Sequence, residues 1–300
     1  MKTNTKKVII LRHGGGRLGN QLWLYANIYA YCLEKNYQCV NYSFYNYFRY
    51  FNIPCPSILT KIFELISYFQ LNETHANTYP IYISYKWSTS LILLLNKNRG
   101  KLLKHHSDEL FYLPPTANKN PAFKEKLRQA ELAGKPIYFD GQNFANPIGI
   151  KKYHRQITTL LKPKDKIMQT VENFLKPYKN FYLVGVHIRQ GDYKRFRQGA
   201  LYFSQKEVAE RLRYYLTNIH NGKKKVKFLL FSDETINFSF FGGLNVEKGI
   251  GSAIEDLFTL SKCNLIIASK SSFSSFAAYY GNRPLFIFDR DKYLQPQKHS

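Results

Sequence analysis

The side chains best suited to chemistry lie in the segment His187-Ile188-Arg189-Gln190-Gly191-Asp192. The apolar run before it, residues 182–186, predicts a buried strand, so these polar side chains follow at the carboxyl end of that strand. Ligands of open α/β sheets bind at that end. A guanidinium can donate two parallel hydrogen bonds to phosphate oxygens, which an ammonium cannot. The segment therefore predicts that Arg189 binds an anionic ligand such as a nucleotide diphosphate.

Three further polar segments also fall at predicted strand or helix ends. They are Gly16-Arg17-Leu18-Gly19-Asn20-Gln21, Ser232-Asp233-Glu234 and Ser269-Lys270-Ser271-Ser272-Phe273-Ser274. Asp233 or Glu234 can accept two N–H bonds from the edge of a guanine base. Ser271 and Ser272 offer hydroxyl groups and free helix amides to phosphate. Each segment alone is typical of a cap or turn, but their common position at element ends predicts one shared site.

An alternation of strands and helices positions these segments in the second half of the chain. The predicted strands cover 182–187, 226–231, 265–268 and 284–288, and the predicted helices cover 205–218, 253–261 and 274–280. This alternation predicts a parallel sheet with helices on both faces.

The first half opens in a similar way. A short apolar strand at residues 8–11, a glycine-rich turn, a helix at 20–35 and a second strand at 39–44 indicate a Rossmann-type unit. We predict an α/β protein with two domains: residues 1–178, with a helical insertion, and residues 179–300.

Composition points to a negatively charged partner. The formal charge is +24, and 44% of residues are hydrophobic, enough for substantial cores. No nucleic-acid-binding motif is present, so nucleic acid is not the expected partner. Residues 91–106 mix leucines with basic residues; the first interpretation is a helix with one solvated face, and the alternative is peripheral contact with an anionic membrane.

The cysteines and the amino-terminal residues bear on the compartment. The four cysteines, Cys32, Cys39, Cys55 and Cys263, form no C-x-x-C pair, which favours free thiols in a reducing environment. No signal-peptide pattern is recognisable. We expect a cytoplasmic protein, with the inner face of a membrane as a possible place of contact.

Three other motifs suggest different chemistry. The glycines at 14, 16 and 19 match a dinucleotide fingerprint, but Asn41 and Tyr42 stand where that site needs an acid. The segment Leu11-Arg12-His13-Gly14 is similar to the opening of histidine phosphatases and leaves a phosphomonoesterase using His13 as an alternative. The D-x-D at 289–291 is interpreted as a loop after a strand, so no metal site is predicted. A non-catalytic basic protein that binds an anionic polymer or lipid is a third possibility.

Together the four polar segments resemble the motifs of the α-1,2-fucosyltransferase family. The residues 16–21 with Tyr25-Ala26, the segment 187–193, and the block from Asp256 through Ser271-Ser272-Phe273-Ser274 to Ala278 carry the resemblance. The resemblance implies a GT-B architecture, in which two Rossmann-type domains face each other across a cleft. It also implies metal-independent, inverting transfer of L-fucose from GDP-fucose to a glycan, with the 2-hydroxyl of a terminal β-galactoside as the expected acceptor.

The same resemblance implies roles for individual residues. Arg189 would bind the β-phosphate, while His187 and either Asp233 or Glu234 would contact guanosine. Arg17 and Asn20 would face the donor, and Ser271, Ser272 and Phe273 would complete its site. Arg189, Asn20 and Asp192 are the predicted catalytic residues, although Asp192 is interpreted either as a general base or as an ion-pair partner that shapes its loop.

The sequence departs from the family pattern at several positions. Gln190 stands where a second arginine is common, and Glu234 replaces a usual aspartate. Lys270, Ser275 and Phe276 replace an asparagine and paired tryptophans. These departures leave the acceptor and the linkage open.

Overall fold

A computed structural model describes most of the second half of the chain and part of the first. The described residues are 7–12, 16–41, 43–44, 47–53, 110–112, 121–133, 137–140 and 144–297. The chain divides into two compact units, Met1–Lys162 (unit 1) and Pro163–Ser300 (unit 2). Among these residues, no helix combines the length and the hydrophobicity that a membrane span requires.

Unit 1 contains a parallel sheet of short strands. The strands are β1 (Lys7–Arg12), β2 (Gln38–Asn41), β3 (Leu110–Tyr112) and β4 (Ile137–Asp140), and their order is β2-β1-β4-β3. The long helix α1 (Leu18–Lys35) connects β1 to β2 and buries apolar residues along most of its length. The other α-helices among the described residues of this unit are α2 (Pro121–Leu132), α3 (Pro147–Lys152) and α4 (His154–Leu160). This strand-helix-strand opening with parallel strands has the arrangement expected of a Rossmann-type unit.

Unit 2 is built on a six-stranded sheet. Its strands are β5 (Tyr182–Ile188), β6 (Val226–Ser232), β7 (Val246–Lys248), β8 (Leu265–Ala268), β9 (Leu285–Phe288) and β10 (Leu294–Gln297), in the order β10-β9-β8-β5-β6-β7. All pairs are parallel except β9 with β10. Because β5 lies between β6 and β8, the strand order reverses direction at the β5–β8 pair, as in a doubly wound fold.

Helices cover both faces of this sheet. They are α5 (Asp165–Leu175), α6 (Gln205–Asn218), α7 (Ala253–Lys262) and α8 (Ser272–Gly281). Ser204 and Glu207 form a reciprocal capping box that begins α6. The core contains fully buried side chains such as Phe228 and Leu212, each stabilising the fold by about 1.5–3 kcal/mol relative to an exposed position.

The predicted elements of unit 2 are confirmed nearly to the residue. Among them, α8 begins two residues earlier than expected, at Ser272. The short strands β7 and β10 were not predicted. The division between the units lies before the predicted boundary at 178/179, because α5 precedes that boundary and packs against α7. Within the first half, β3 was not predicted. The basic segment 91–106 lies outside the described residues.

The α7–α8 contact depends on the absence of a side chain at Gly281. A Cβ there would lie 2.0 Å from the carbonyl oxygen of Ser261 in α7. Since a backbone oxygen cannot rotate away, Gly281→Ala is expected to lower the free energy of unfolding by about 1–3 kcal/mol, measured by urea denaturation. Gly242→Ala is the matched control, because its Cβ would meet only Ser239 at an ordinary 3.8 Å. Equal stability of the two variants would contradict this prediction.

Candidate functional site

The polar residues of unit 2 converge where the strand order of its sheet reverses. Strands β5 and β8 are parallel neighbours, so their carboxyl ends lie side by side. The last pair between β5 and β8 joins His187 to Ala268, and Arg189 follows directly after β5. The segment that connects β8 to α8 begins at the same edge. Doubly wound sheets bind ligands in the crevice outside this reversal point, and the predicted segments 187–192 and 269–274 both lie there.

Arg189 is held between two carboxylates. Its Nη1 lies 2.8 Å from Oδ2 of Asp233, and its Nη2 lies 2.5 Å from Oδ1 of Asp192. The Arg189 side chain is only 15% exposed, so its position is well defined before any ligand is considered. The contact between Asp192 and Arg189 is the ion pair that one of the two interpretations of Asp192 predicted. The contact leaves a catalytic role for Asp192 open.

Asp233 also organises the backbone at the end of β5. Its Oδ1 accepts a hydrogen bond from the backbone N–H of Gln190 at 2.8 Å. A Cβ at Gly191 would lie 2.8 Å from Asp233 Oδ2, so a side chain at this position would require the Asp233 carboxylate to shift. Both oxygens of Asp233 are therefore engaged within the protein.

Gln190, which stands where the family often has an arginine, is a buried structural residue. Its side chain donates to the carbonyl of Phe203 and accepts from Nε2 of Gln205. The Gln205 side chain also donates to the carbonyl of Thr235 at 2.7 Å. This chain of amides joins the ends of β5 and β6. Sequence reasoning did not identify Gln205, since a glutamine at the start of a helix carries no functional pattern.

His187 is buried and electrically neutral. Burial, followed by the nearby Arg189 cation, lowers its pKa to about 4, and the carboxylate of Asp233 opposes this only in part. Its ring lies 4.9 Å from that of Phe273. Its Nδ1 is buried and has no hydrogen-bond partner within the described part of the chain. A buried nitrogen without a partner is costly, so this atom is a candidate to hydrogen-bond a ligand.

The amino end of α8 presents hydroxyl and amide groups at the same edge. Ser271 caps the helix by accepting the N–H of Phe273 at 3.1 Å. Ser269 accepts the N–H of Arg189 at 3.1 Å and donates its own N–H to the carbonyl of His187. Ser269 was not among the predicted site residues, although its position directly after an apolar strand was an available signal. Helix amino ends bind anions through free N–H groups and the helix dipole.

The remaining predicted acid, Glu234, faces solvent and a lysine. Both of its carboxylate oxygens lie 2.9 Å from Nζ of Lys194. Tyr193, on the same turn as Lys194, donates from its hydroxyl to the carbonyl of Lys270 at 2.7 Å. These contacts bind the turn after Arg189 to the ends of β6 and β8.

In unit 1, the predicted residues Arg17 and Asn20 lie at the beginning of α1. Both side chains are exposed, and the carbonyl of Arg17 accepts the N–H of Asn20 at 3.0 Å. Gly16 has a φ of +84°, and a Cβ there would overlap the Asn20 side chain. Glycine is therefore favoured at position 16, just before the start of α1.

Of the motifs that suggest different chemistry, the D-x-D at 289–291 lies among the described residues. Asp289 of the D-x-D uses its Oδ1 to accept the N–H groups of Asp291 and Lys292, which is a turn after β9 as expected. No group of three or more His, Cys, Asp or Glu residues in the described ranges is arranged to hold a metal ion. The phosphatase alternative rests on His13, which lies outside the described residues.

Sequence comparison finds a family model that matches part of the chain. Residues 144–287 match the model of glycosyl transferase family 11. The family 11 match contains β5, β6, β8 and α8, the elements that carry the cluster around Arg189. It confirms the predicted family resemblance over this part of the chain and the prediction of a glycosyltransferase. No curated protein sequence matches the chain.

Solved structures of similar fold include fucosyltransferases. The α-1,6-fucosyltransferase NodZ from Bradyrhizobium, co-crystallised with GDP, has a TM-score of 0.55 at 17% identity, covering 99% of each chain. NodZ soaked with GDP-fucose has a TM-score of 0.57 at 16% identity, covering 98% of this chain and 99% of that one. A mutant of FUT1 from Arabidopsis thaliana, in complex with GDP, has a TM-score of 0.58 at 13% identity, covering 98% and 74%. At these identities the likeness concerns the fold, and the predicted GT-B class is confirmed.

Proposed function

We propose that this protein is a fucosyltransferase that moves L-fucose from GDP-fucose to a glycan hydroxyl. The observation that carries the proposal is the cluster at the β5–β8 ends. There a preorganised guanidinium, a buried neutral histidine and a helix amino end converge. The family 11 match over these elements and the GDP and GDP-fucose bound in the similar NodZ structures support it.

The donor would be bound by groups of unit 2. Arg189 and the amides at the start of α8 supply positive charge for the diphosphate, with Ser271 and Ser272 adding hydroxyl groups. His187, through its Nδ1, and Asp233 or Glu234 are assigned to guanosine, with Phe273 packed beside the histidine. Both oxygens of Asp233 are engaged by Arg189 and by the backbone of Gln190. The oxygens of Glu234 contact the more exposed Lys194, and such a surface ion pair is exchanged for a base at lower cost.

The chemical step would be an inverting displacement. The bond between the anomeric carbon and the β-phosphate oxygen breaks, GDP leaves with the electron pair, and the acceptor oxygen forms the new bond on the opposite face. Donors aimed at the departing diphosphate stabilise the charge that develops there. Asp192 is the candidate to accept the proton of the acceptor hydroxyl, and a dissociative path without a strong base is the alternative.

The finer features of the proposal follow from the family resemblance. They are a terminal β-galactoside with a reactive 2-hydroxyl as acceptor, independence of metal ions, and donor contacts from Arg17 and Asn20. Unit 1 would serve the acceptor. A cytoplasmic location, with peripheral contact to an anionic membrane, is also part of the proposal and is motivated by the charge of +24.

An assay with labelled GDP-fucose tests the proposal directly. In EDTA, the protein is expected to transfer fucose to a β-galactoside, and to transfer much less to the same galactoside lacking its 2-hydroxyl. UDP-galactose, whose uracil lacks the guanine edge, is the donor control. The protein is not expected to transfer a sugar from it. The absence of GDP binding by calorimetry, together with the absence of transfer to a panel of glycans, would contradict the proposal.

A further inference from the structure

The two carboxylates that hold Arg189 differ in how firmly they are held themselves. The side chain of Asp233 is 18% exposed and also accepts the backbone N–H of Gln190, so this carboxylate has two partners. Asp192 is 55% exposed and lies on a short 3-10 turn, Gly191–Lys194. Exposed ion pairs contribute little to stability, whereas breaking an inner pair leaves a desolvated charge. Asp192 is therefore the partner that can leave Arg189 at low cost.

The backbone around Asp192 allows this departure. The carbonyl of Asp192 accepts the N–H of Arg195, and the N–H of Lys194 donates to the carbonyl of Gln190, both at 3.2 Å. These bonds hold the turn independently of the Asp192 side chain. The carboxylate can rotate toward solvent without any change in the turn.

The charges at Arg189 make such a departure necessary for strong anion binding. One guanidinium faces two carboxylates, so its positive charge is more than matched. Its Nη1 is committed to Asp233, so a phosphate oxygen that approaches Nη2 meets the carboxylate of Asp192 in the same place. Two anions close to one N–H group repel each other.

We propose that Asp192 is a displaceable counter-ion of Arg189. A diphosphate takes the place of the Asp192 carboxylate on Nη2, while Asp233 continues to hold Nη1 and so preserves the orientation of the guanidinium. The inference rests on the proposed function, because it takes the ligand to be the diphosphate of a nucleotide. It assigns Asp192 a role in donor affinity that a general base alone would not have.

The substitution Asp192→Asn separates these roles. Because an amide binds a guanidinium more weakly and does not repel phosphate, GDP is expected to bind the variant about fivefold more tightly than the wild-type protein. Asp192→Glu, which restores the carboxylate, is expected to return the Kd toward the wild-type value. Inorganic pyrophosphate should show the same order of affinities, since the competition concerns phosphate oxygens.

Isothermal titration of GDP and of pyrophosphate at 0.15 M salt measures these affinities. Glu172→Gln is the matched control: it removes one negative charge from an exposed position in the last turn of α5, which leads to the opposite end of β5. Its Kd is expected to equal that of the wild-type protein. Unchanged or weaker GDP binding by Asp192→Asn would overturn the proposal that the diphosphate displaces Asp192. An equal gain in GDP affinity in Glu172→Gln would overturn it as well. A wild-type protein that binds no GDP would instead contradict the proposed function.

Discussion

Replacing Arg189 by lysine is expected to lower the rate of fucosyl transfer about 100-fold or more. The guanidinium presents two N–H groups in a plane, one fixed by Asp233 and the other directed to the ligand, whereas an ammonium is a single point of charge. Lysine keeps a cation between the two carboxylates, so the protein should remain folded. The measurement is the transfer rate from GDP-fucose at saturating acceptor, with far-ultraviolet circular dichroism to verify the fold.

Arg195→Lys is the matched control for this substitution. Arg195 directly follows the turn Gly191–Lys194 that comes after Arg189, and its side chain is exposed. The same chemical change there is expected to alter transfer less than threefold, which corresponds to well under 1 kcal/mol, as is usual for surface positions. Near-normal turnover by Arg189→Lys would remove Arg189 from the diphosphate site, and an equal loss in both variants would point to general charge rather than to a specific contact.

Protonation of His187 is expected to make the stability of unit 2 depend on pH. The unfolded histidine has a pKa near 6.5, and the folded one a pKa of about 4. The stability that comes from burying the neutral ring is therefore complete above about pH 6.5 and is lost as the pH falls toward 4. The loss amounts to about 3 kcal/mol, from about 1.4 kcal/mol for each pH unit.

A comparison of variants isolates this contribution from other acidic titrations. Urea denaturation of wild-type protein and of His187→Gln between pH 7 and pH 4 should show that the variant loses about 3 kcal/mol less over this interval. If the wild-type protein and His187→Gln lose stability in parallel, His187 is not the group responsible.

The tertiary structure also explains why two departures from the family pattern leave the cluster intact. Gln190 replaces a common arginine but is 2% exposed and hydrogen-bonded to Phe203 and Gln205, so it supports the chain between β5 and α6. Glu234 replaces an aspartate and pairs with Lys194 at the surface. Neither position could be interpreted from residue type alone.

Local sequence determined the elements of unit 2 and the ends of strands at which its polar residues lie. Apolar runs of four to seven residues, followed by His, Ser or Asp, predicted β5, β6 and β8, because burial on both sides of a parallel sheet requires such runs. Motif spacing then indicated Arg189 as the anion-binding residue. The same approach did not find β7, which has three residues, or β10, whose sequence Leu-Gln-Pro-Gln contains no apolar run.

Only the tertiary structure decided which strand ends are neighbours and how charge is distributed among them. The order of strands places β5 beside both β6 and β8, which brings Asp233 and Ser269 to Arg189 from positions remote in sequence. Sequence could indicate each residue as a candidate, but pairing depends on which strands share hydrogen bonds. Burial likewise sets the neutral state of His187, and the difference in exposure between Asp192 and Asp233 sets which carboxylate can be exchanged. Both are properties of the folded environment, because desolvation and charge proximity arise only when distant segments pack together.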